Sequence, residues 1–155
     1  MRILMVCLGN ICRSPIAEGI MKNMIQINHL NWMVDSAGTE SYHVGEPPHP
    51  YSQKICQKYH VDISQQKARQ FVVEDFKLFD KIYCMSKDVM NIVKHQAGSS
   101  FDENKVSLFL NELYPSENRS VPDPWYGEEE DYVIVYDLIN KTCEKIVAKY
   151  KSELF

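Results

Sequence analysis

The sequence predicts an α/β fold: a three-layer α/β/α sandwich around a four-stranded parallel sheet. Three observations lead there. Four short and largely apolar runs, residues 2–6, 32–36, 80–85 and 105–110, read as strands buried on both faces. Helical patterns lie between them, and alternation of strand and helix implies parallel pairing with helices on both sides. An eight-residue loop, Cys7-Leu8-Gly9-Asn10-Ile11-Cys12-Arg13-Ser14, leaves the first strand and enters the first helix. It sits at a strand's carboxyl end, where such sheets put their ligands.

Each element has its own signal. Ile3-Leu4-Met5-Val6 is a short buried strand. Pro15 suits the first position of a helix, where its missing N–H is not needed. Ile16, Ile20, Met24 and Ile27 then line one face of a helix over 15–28. A second helix is expected at about 50–60 and a third at 87–97, ending near Gly98. The last helix has the clearest pattern. Tyr132, Val135, Tyr136, Ile139, Cys143, Ile146 and Tyr150 recur at spacings of three and four, a core-facing stripe.

The chain has 155 residues and is 45% hydrophobic, enough for one domain, residues 1–155, with a substantial core. The net charge of -4 and the lack of lysine or arginine runs argue against a nucleic-acid partner. No apolar stretch approaches membrane-spanning length. No cationic segment and apolar signal region precedes the first strand. Five cysteines, an odd number, fit free thiols and a cytoplasmic location better than a disulfide framework.

The first loop carries the chemistry. A loop entering a helix N-terminus aims free N–H groups and the positive end of the helix dipole at one spot. That spot binds an oxyanion such as phosphate. Here it also holds a cysteine and an arginine, Cys7 and Arg13. A thiolate attacks phosphorus well. A free cysteine titrates near ~8.5, and a helix N-terminus with a nearby cation lowers that value. Arg13 offers a planar fork able to bind two phosphate oxygens at once. Gly9 permits close approach of the backbone and unusual torsions. Asn10 tolerates a left-handed conformation. Ser14 is placed to donate a hydrogen bond to the sulfur. Leu8, Ile11 and Cys12 complete the phosphate-binding loop. The whole reads as a device for a cysteinyl-phosphate intermediate. Cys12 has two readings: a packed thiol, or a partner that forms a reversible disulfide with Cys7 against over-oxidation.

A departing alkoxide or phenoxide needs a proton. Val121-Pro122-Asp123-Pro124-Trp125-Tyr126-Gly127 is a candidate loop for the donor. Two prolines fix the backbone around Asp123, with Trp125 and Tyr126 as flat apolar walls. Taken alone, the same stretch reads better as a Pro-rich turn with surface aromatics.

Cys7 through Ser14, followed by Pro15 and Glu18, resembles the signature of the low-molecular-weight protein tyrosine phosphatases. Further segments are similar in the same order: Asp35-Ser36-Ala37-Gly38-Thr39, Val44-Gly45-Glu46-Pro47-Pro48, Ala68-Arg69-Gln70, Asp75-Phe76, Phe79-Asp80 and Asp123-Pro124. The resemblance covers essentially the whole chain. It implies Cys7 as nucleophile, Arg13 as phosphate clamp and Asp123 as general acid, later base for water. It implies Asn10 and Ser14 as loop supports, and Tyr42, Tyr126 and Trp125 as cleft residues. It implies no metal and no cofactor. The implied substrate is a phosphotyrosine protein or an aryl phosphate, and the product is inorganic phosphate.

Two stretches depart from the family's pattern: Ser86 after Cys84-Met85, where many relatives carry aspartate, and His49-Pro50-Tyr51. Neither touches Cys7, Arg13 or Asp123, so both bear on efficiency and specificity. Glu128, Glu129, Glu130 and Asp131 suit the N-terminus of the last helix; they also raise the expectation that substrates with basic flanks are favoured. Two other functions are compatible with parts of the pattern. An arsenate reductase of the same fold relays a disulfide through further cysteines, typically seven residues apart near the third strand, but position 91 is Asn. A non-catalytic phosphotyrosine-binding module would usually have lost Cys7 or Asp123. There is no C-x-x-C, and His29, His43, His49, His60 and His95 read as surface or capping residues. Exposed aromatics near the cleft fit a monomer or weak self-association.

Overall fold

The computed structural model describes residues 1–154. Its strands are β1 (Arg2–Cys7), β2 (Met33–Gly38), β3 (Lys81–Cys84) and β4 (Val106–Leu108). Its helices are α1 (Arg13–Ile27), α2 (Pro50–Lys58), α3 (Asp75–Leu78), α4 (Lys87–Ala97) and α5 (Glu129–Lys151). The strands form one parallel sheet in the order β2-β1-β3-β4.

Alternation along β1 explains the three layers. Successive strand side chains point to opposite faces. Ile3 and Met5 join a core with Ile16, Ile20 and Met21 of α1, Ile55 and Cys56 of α2, and Tyr132, Ile139 and Ile146 of α5. Leu4 and Val6 join a second core with Phe76 of α3 and Val89, Val93 and Ala97 of α4. Every residue of β1 after Arg2 is buried. A strand with two packed faces has no polar alternation to show, which is why the run is apolar throughout.

Strand order also locates the ligand. The chain leaves β1 toward β2 on one side, then crosses to β3 on the other. The crevice at that reversal lies beyond the carboxyl end of β1, where residues 8–12 sit.

Several boundaries differ from the sequence expectation. Helix α1 begins at Arg13, so Pro15 is its third residue; the first turn needs no N–H bonds, and the proline is tolerated there too. Ile27 is 67% exposed, because α1 runs past the edge of the core after Ile25. Strand β4 stops at Leu108, and Phe109–Glu112 tightens into a 3₁₀ turn that still buries Phe109 and Leu110. Helix α3, only four residues, has too short a pattern to announce itself.

Candidate active site

The loop after β1 folds back on Cys7. Cys7 is buried at the end of the strand. Its Sγ lies 3.0 Å from Ser14 Oγ and accepts from the Asn10 N–H at 3.3 Å. The N–H groups of Leu8, Gly9, Ile11 and Cys12 find no protein acceptor among the described residues. Together with the free first turn of α1 they form a nest of donors for an anion.

Asn10 is the left-handed residue of the loop, with φ 58°. The sequence points to Gly9 for unusual torsions, but Gly9 is needed for space: a Cβ there would meet the His43 ring at 3.1 Å. A left-handed non-glycine costs roughly 1–2 kcal/mol. Three side-chain hydrogen bonds offset it, each contributing about 0.5–1.5 kcal/mol. The Arg69 N–H donates to Asn10 Oδ1 at 3.0 Å, which sets the amide's orientation. Asn10 Nδ2 then donates to Ser14 Oγ at 2.8 Å and to Ser36 Oγ at 2.9 Å. Ser36 passes its own proton to buried Glu18 at 2.7 Å. Ser14, already accepting from Asn10, keeps its proton for Cys7 Sγ.

Arg13 opens α1 with its side chain 4% exposed. Nη1 donates to the Val121 carbonyl at 3.1 Å, and Nη2 lies 3.6 Å from Asp123 Oδ2. Nε is buried and has no protein partner among the described residues. One edge of the guanidinium is therefore available to an anion. Asp123 is itself oriented by the Trp125 N–H, which donates to its Oδ1 at 3.1 Å.

Cys7, Leu8, Gly9, Ile11, Cys12, Arg13, Tyr42, His43, Asp123, Trp125 and Tyr126 line one cleft of about 230 Å³. All the predicted site residues thus converge, with Asn10 and Ser14 behind the loop. The aromatic residues differ from the expected walls. Tyr126 is 95% exposed and Tyr42 80%, so both stand at the rim, while Trp125 reaches further in. His43 joins the cleft unannounced: it packs on Trp125 with centroids 5.2 Å apart and pairs with Glu46. Its place shows only in three dimensions.

Cys12 is a buried thiol. Burial pushes it up to about 12, partly countered by the Tyr132 hydroxyl 3.5 Å away. Burial likewise pushes Cys56 and Cys84 up to about 12 and Cys143 upward. Of the acids expected near the rim, Glu128 and Asp131 are committed to a capping box at the start of α5, and Glu129 pairs with Lys54 at 2.6 Å. Helix capping accounts for two of the four and the ion pair to α2 for a third. Ser86 is buried at the foot of α4.

His49 caps α2: its Nδ1 accepts from the Tyr51 N–H at 3.0 Å. Burial holds it below the ordinary histidine range, and a proton on Nδ1 would end the cap. In this window the unfolded chain binds more protons than the folded one. Stability is therefore full above the unfolded value of about 6.5 and declines as pH falls through it. The unfolding midpoint is expected to drop between about pH 7 and pH 5. The slope should be shallower in His49→Asn, measured by thermal melts across that range.

Among the described residues, no helix is long and apolar enough to cross a membrane, and no group of three or more His, Cys, Asp or Glu is arranged to hold a metal ion. Fold and site together define a phosphate-ester hydrolase. The family described as low molecular weight phosphotyrosine protein phosphatase matches residues 2–154. The rat protein of that name is 35% identical over 95% of this chain and 94% of its own. A crystal structure of a protein tyrosine phosphatase from Entamoeba histolytica, with Hepes in its active site, superposes with a TM-score of 0.90. It is 34% identical and covers 100% of this chain and 99% of that one. Another, Drosophila arginine phosphatase, has a TM-score of 0.89 at 29% identity, covering 97% and 98%. The chain belongs to the low-molecular-weight phosphotyrosine protein phosphatase family.

Proposed function

We propose that the protein hydrolyses phosphotyrosine monoesters on proteins, and related aryl phosphates, through a phosphoryl group carried on Cys7. The convergence of Cys7, Arg13 and Asp123 in one cleft carries this reading. The sulfur of Cys7, as thiolate, attacks phosphorus. An S–P bond forms as the bond to the aryl oxygen breaks, and the Asp123 carboxyl gives that oxygen its proton. Arg13 and the loop N–H groups hold the oxygens whose charge is shared in the transition state. Water then attacks the phosphorus, Asp123 takes its proton, and inorganic phosphate leaves. The Ser14 hydroxyl, fixed on Sγ, steadies the departing sulfur.

The aromatic rim supports a flat phosphorylated ring, with stacking contributing about 0.5–1.5 kcal/mol beyond area burial. The arsenate-reductase reading finds no support in Cys56, Cys84 or Cys143, all buried and held as thiols. A binding module would not require the Cys7–Asp123 combination. For Cys12, burial and the Tyr132 bond favour the packed thiol over pairing with Cys7. Peroxide inactivation that thiol reverses in the native protein, but not in Cys12→Ser, would favour the pair. Five free thiols support a cytoplasmic setting. We further read residues 1–155 as one catalytic domain needing no cofactor, a monomer or weakly self-associating through Tyr42 and Tyr126.

Asp123→Ala tests the reading. Turnover of phenyl phosphate should fall about 10²–10⁴-fold, while a reactive ester still labels Cys7 in a burst. Unchanged turnover, or phosphorylation at another residue, would overturn it.

A further inference from the structure

We propose that His49 is a positioning residue for the acid loop, its ring joining the phosphate-binding loop to Trp125 and so setting where Asp123 stands. The inference rests on the proton-donor reading of Asp123.

His49 is fastened on the phosphate side first. Its N–H donates to the Ile11 carbonyl at 2.8 Å. Ser52, one turn into α2, donates to the Cys12 carbonyl at 3.2 Å. The start of α2 is thereby docked on the loop that holds Cys7. The His49 ring then stacks on Tyr132 of α5, with centroids 5.1 Å apart and planes 23° from parallel. Tyr132 is fully buried, so this surface is a rigid one. Its Nδ1 is committed to the α2 cap, which fixes the ring about its remaining axis.

The other edge of that ring meets Trp125 at 5.6 Å in a near-perpendicular contact. Trp125 is what orients Asp123, through the N–H bond to Oδ1. The acid loop has few other anchors. Val121 is tied at its root to Met85 at 2.7 Å and to Arg13 at 3.1 Å, Pro124 is buried, and Gly127 only returns to Pro124. Asp123 itself is 41% exposed on its side chain and touches Arg13 at no less than 3.6 Å. A carboxyl so loosely held depends on its neighbours for direction. His43 also touches Trp125 and lies beside Gly9 of the loop, but it is His49 that is hydrogen-bonded to that loop, through the Ile11 carbonyl. The sequence marked His49-Pro50-Tyr51 as a departure from the family's pattern, and this is a use for it.

Two variants separate the ring from the cap. His49→Asn keeps an acceptor for the Tyr51 N–H and removes the ring. His49→Phe keeps the ring and removes the acceptor. Two esters separate proton donation from everything else: phenyl phosphate, whose leaving group needs a proton, and dinitrophenyl phosphate, whose leaving group does not. For His49→Asn, kcat/KM on phenyl phosphate should fall about tenfold, while dinitrophenyl phosphate changes less than about twofold. His49→Phe should keep phenyl phosphate turnover near that of the native protein while its melting temperature drops. Equal slowing of both esters in His49→Asn, or no slowing, overturns the inference, as does a His49→Phe as slow on phenyl phosphate as His49→Asn. Asp123→Ala, run alongside, must discriminate between the esters. If it does not, the proton-donor reading falls and the inference with it; if it does, a failure of the His49 variants belongs to the inference alone.

Discussion

Replacing Cys7 with serine is expected to slow hydrolysis of p-nitrophenyl phosphate by at least about 10⁴-fold while phosphate still binds. The two halves of this expectation come from different atoms. In the proposed mechanism turnover needs a sulfur nucleophile; a serine hydroxyl is un-ionised at neutral pH, and among the described residues no histidine is a hydrogen-bond partner of Cys7 Sγ to take its proton. Binding needs the loop N–H groups and Arg13, and neither depends on Sγ. The network that shapes the loop also survives: Asn10 still donates to Ser14 and to Ser36, and Ser36 to Glu18, while only the Ser14 hydroxyl and the Asn10 N–H reach Cys7 Sγ. A ligand at a hundred times its dissociation constant stabilises the folded state by about 2.7 kcal/mol, so phosphate should still raise the melting temperature of the variant. Turnover within tenfold of the native protein would remove Cys7 from the mechanism. Loss of the phosphate-induced shift would show instead that the sulfur is part of the anion's cradle.

Legibility in the sequence followed the range of the interactions. Cys7 to Ser14 are contiguous, and their chemistry depends on a strand end, a turn and a helix start, all local. The stripe from Tyr132 to Ile146 was equally plain, because one helix buries one face and its period shows. Ile27 satisfied the same period and is exposed, since periodicity says which face a residue occupies but not where the core ends. The supports of the site were hidden for another reason. Arg13 is steadied by the Val121 carbonyl and Asn10 by the Arg69 N–H. Backbone groups look the same at every residue, so no sequence signal marks them. His43 and His49 each touch Trp125 from more than seventy positions away. Such contacts exist only once the sheet has fixed the order of the loops. Tyr42 and Tyr126 line the cleft, but their exposure is set by how far each loop leans over it.

Arg13→Lys should lower kcat/KM for aryl phosphates by roughly 30- to 1000-fold, with both kcat and KM affected. The guanidinium does three things at once: Nη1 holds the Val121 carbonyl, Nη2 faces Asp123, and buried Nε is left for the ligand. A lysine ammonium is a point charge without that fork. If it keeps the carbonyl it loses the bidentate grip; if it turns to phosphate it leaves the Val121 carbonyl without its donor. A hydrogen bond to a charged group contributes about 1.5–3 kcal/mol. A net loss of about 2–4 kcal/mol corresponds to that range at about 1.4 kcal/mol per factor of ten. Steady-state kinetics separate the alternatives. A rise in KM with kcat unchanged would mean that Arg13 binds ground and transition states equally. Because in the proposed mechanism the fork holds equatorial oxygens whose charge is redistributed as the ester bond breaks, kcat should fall as well.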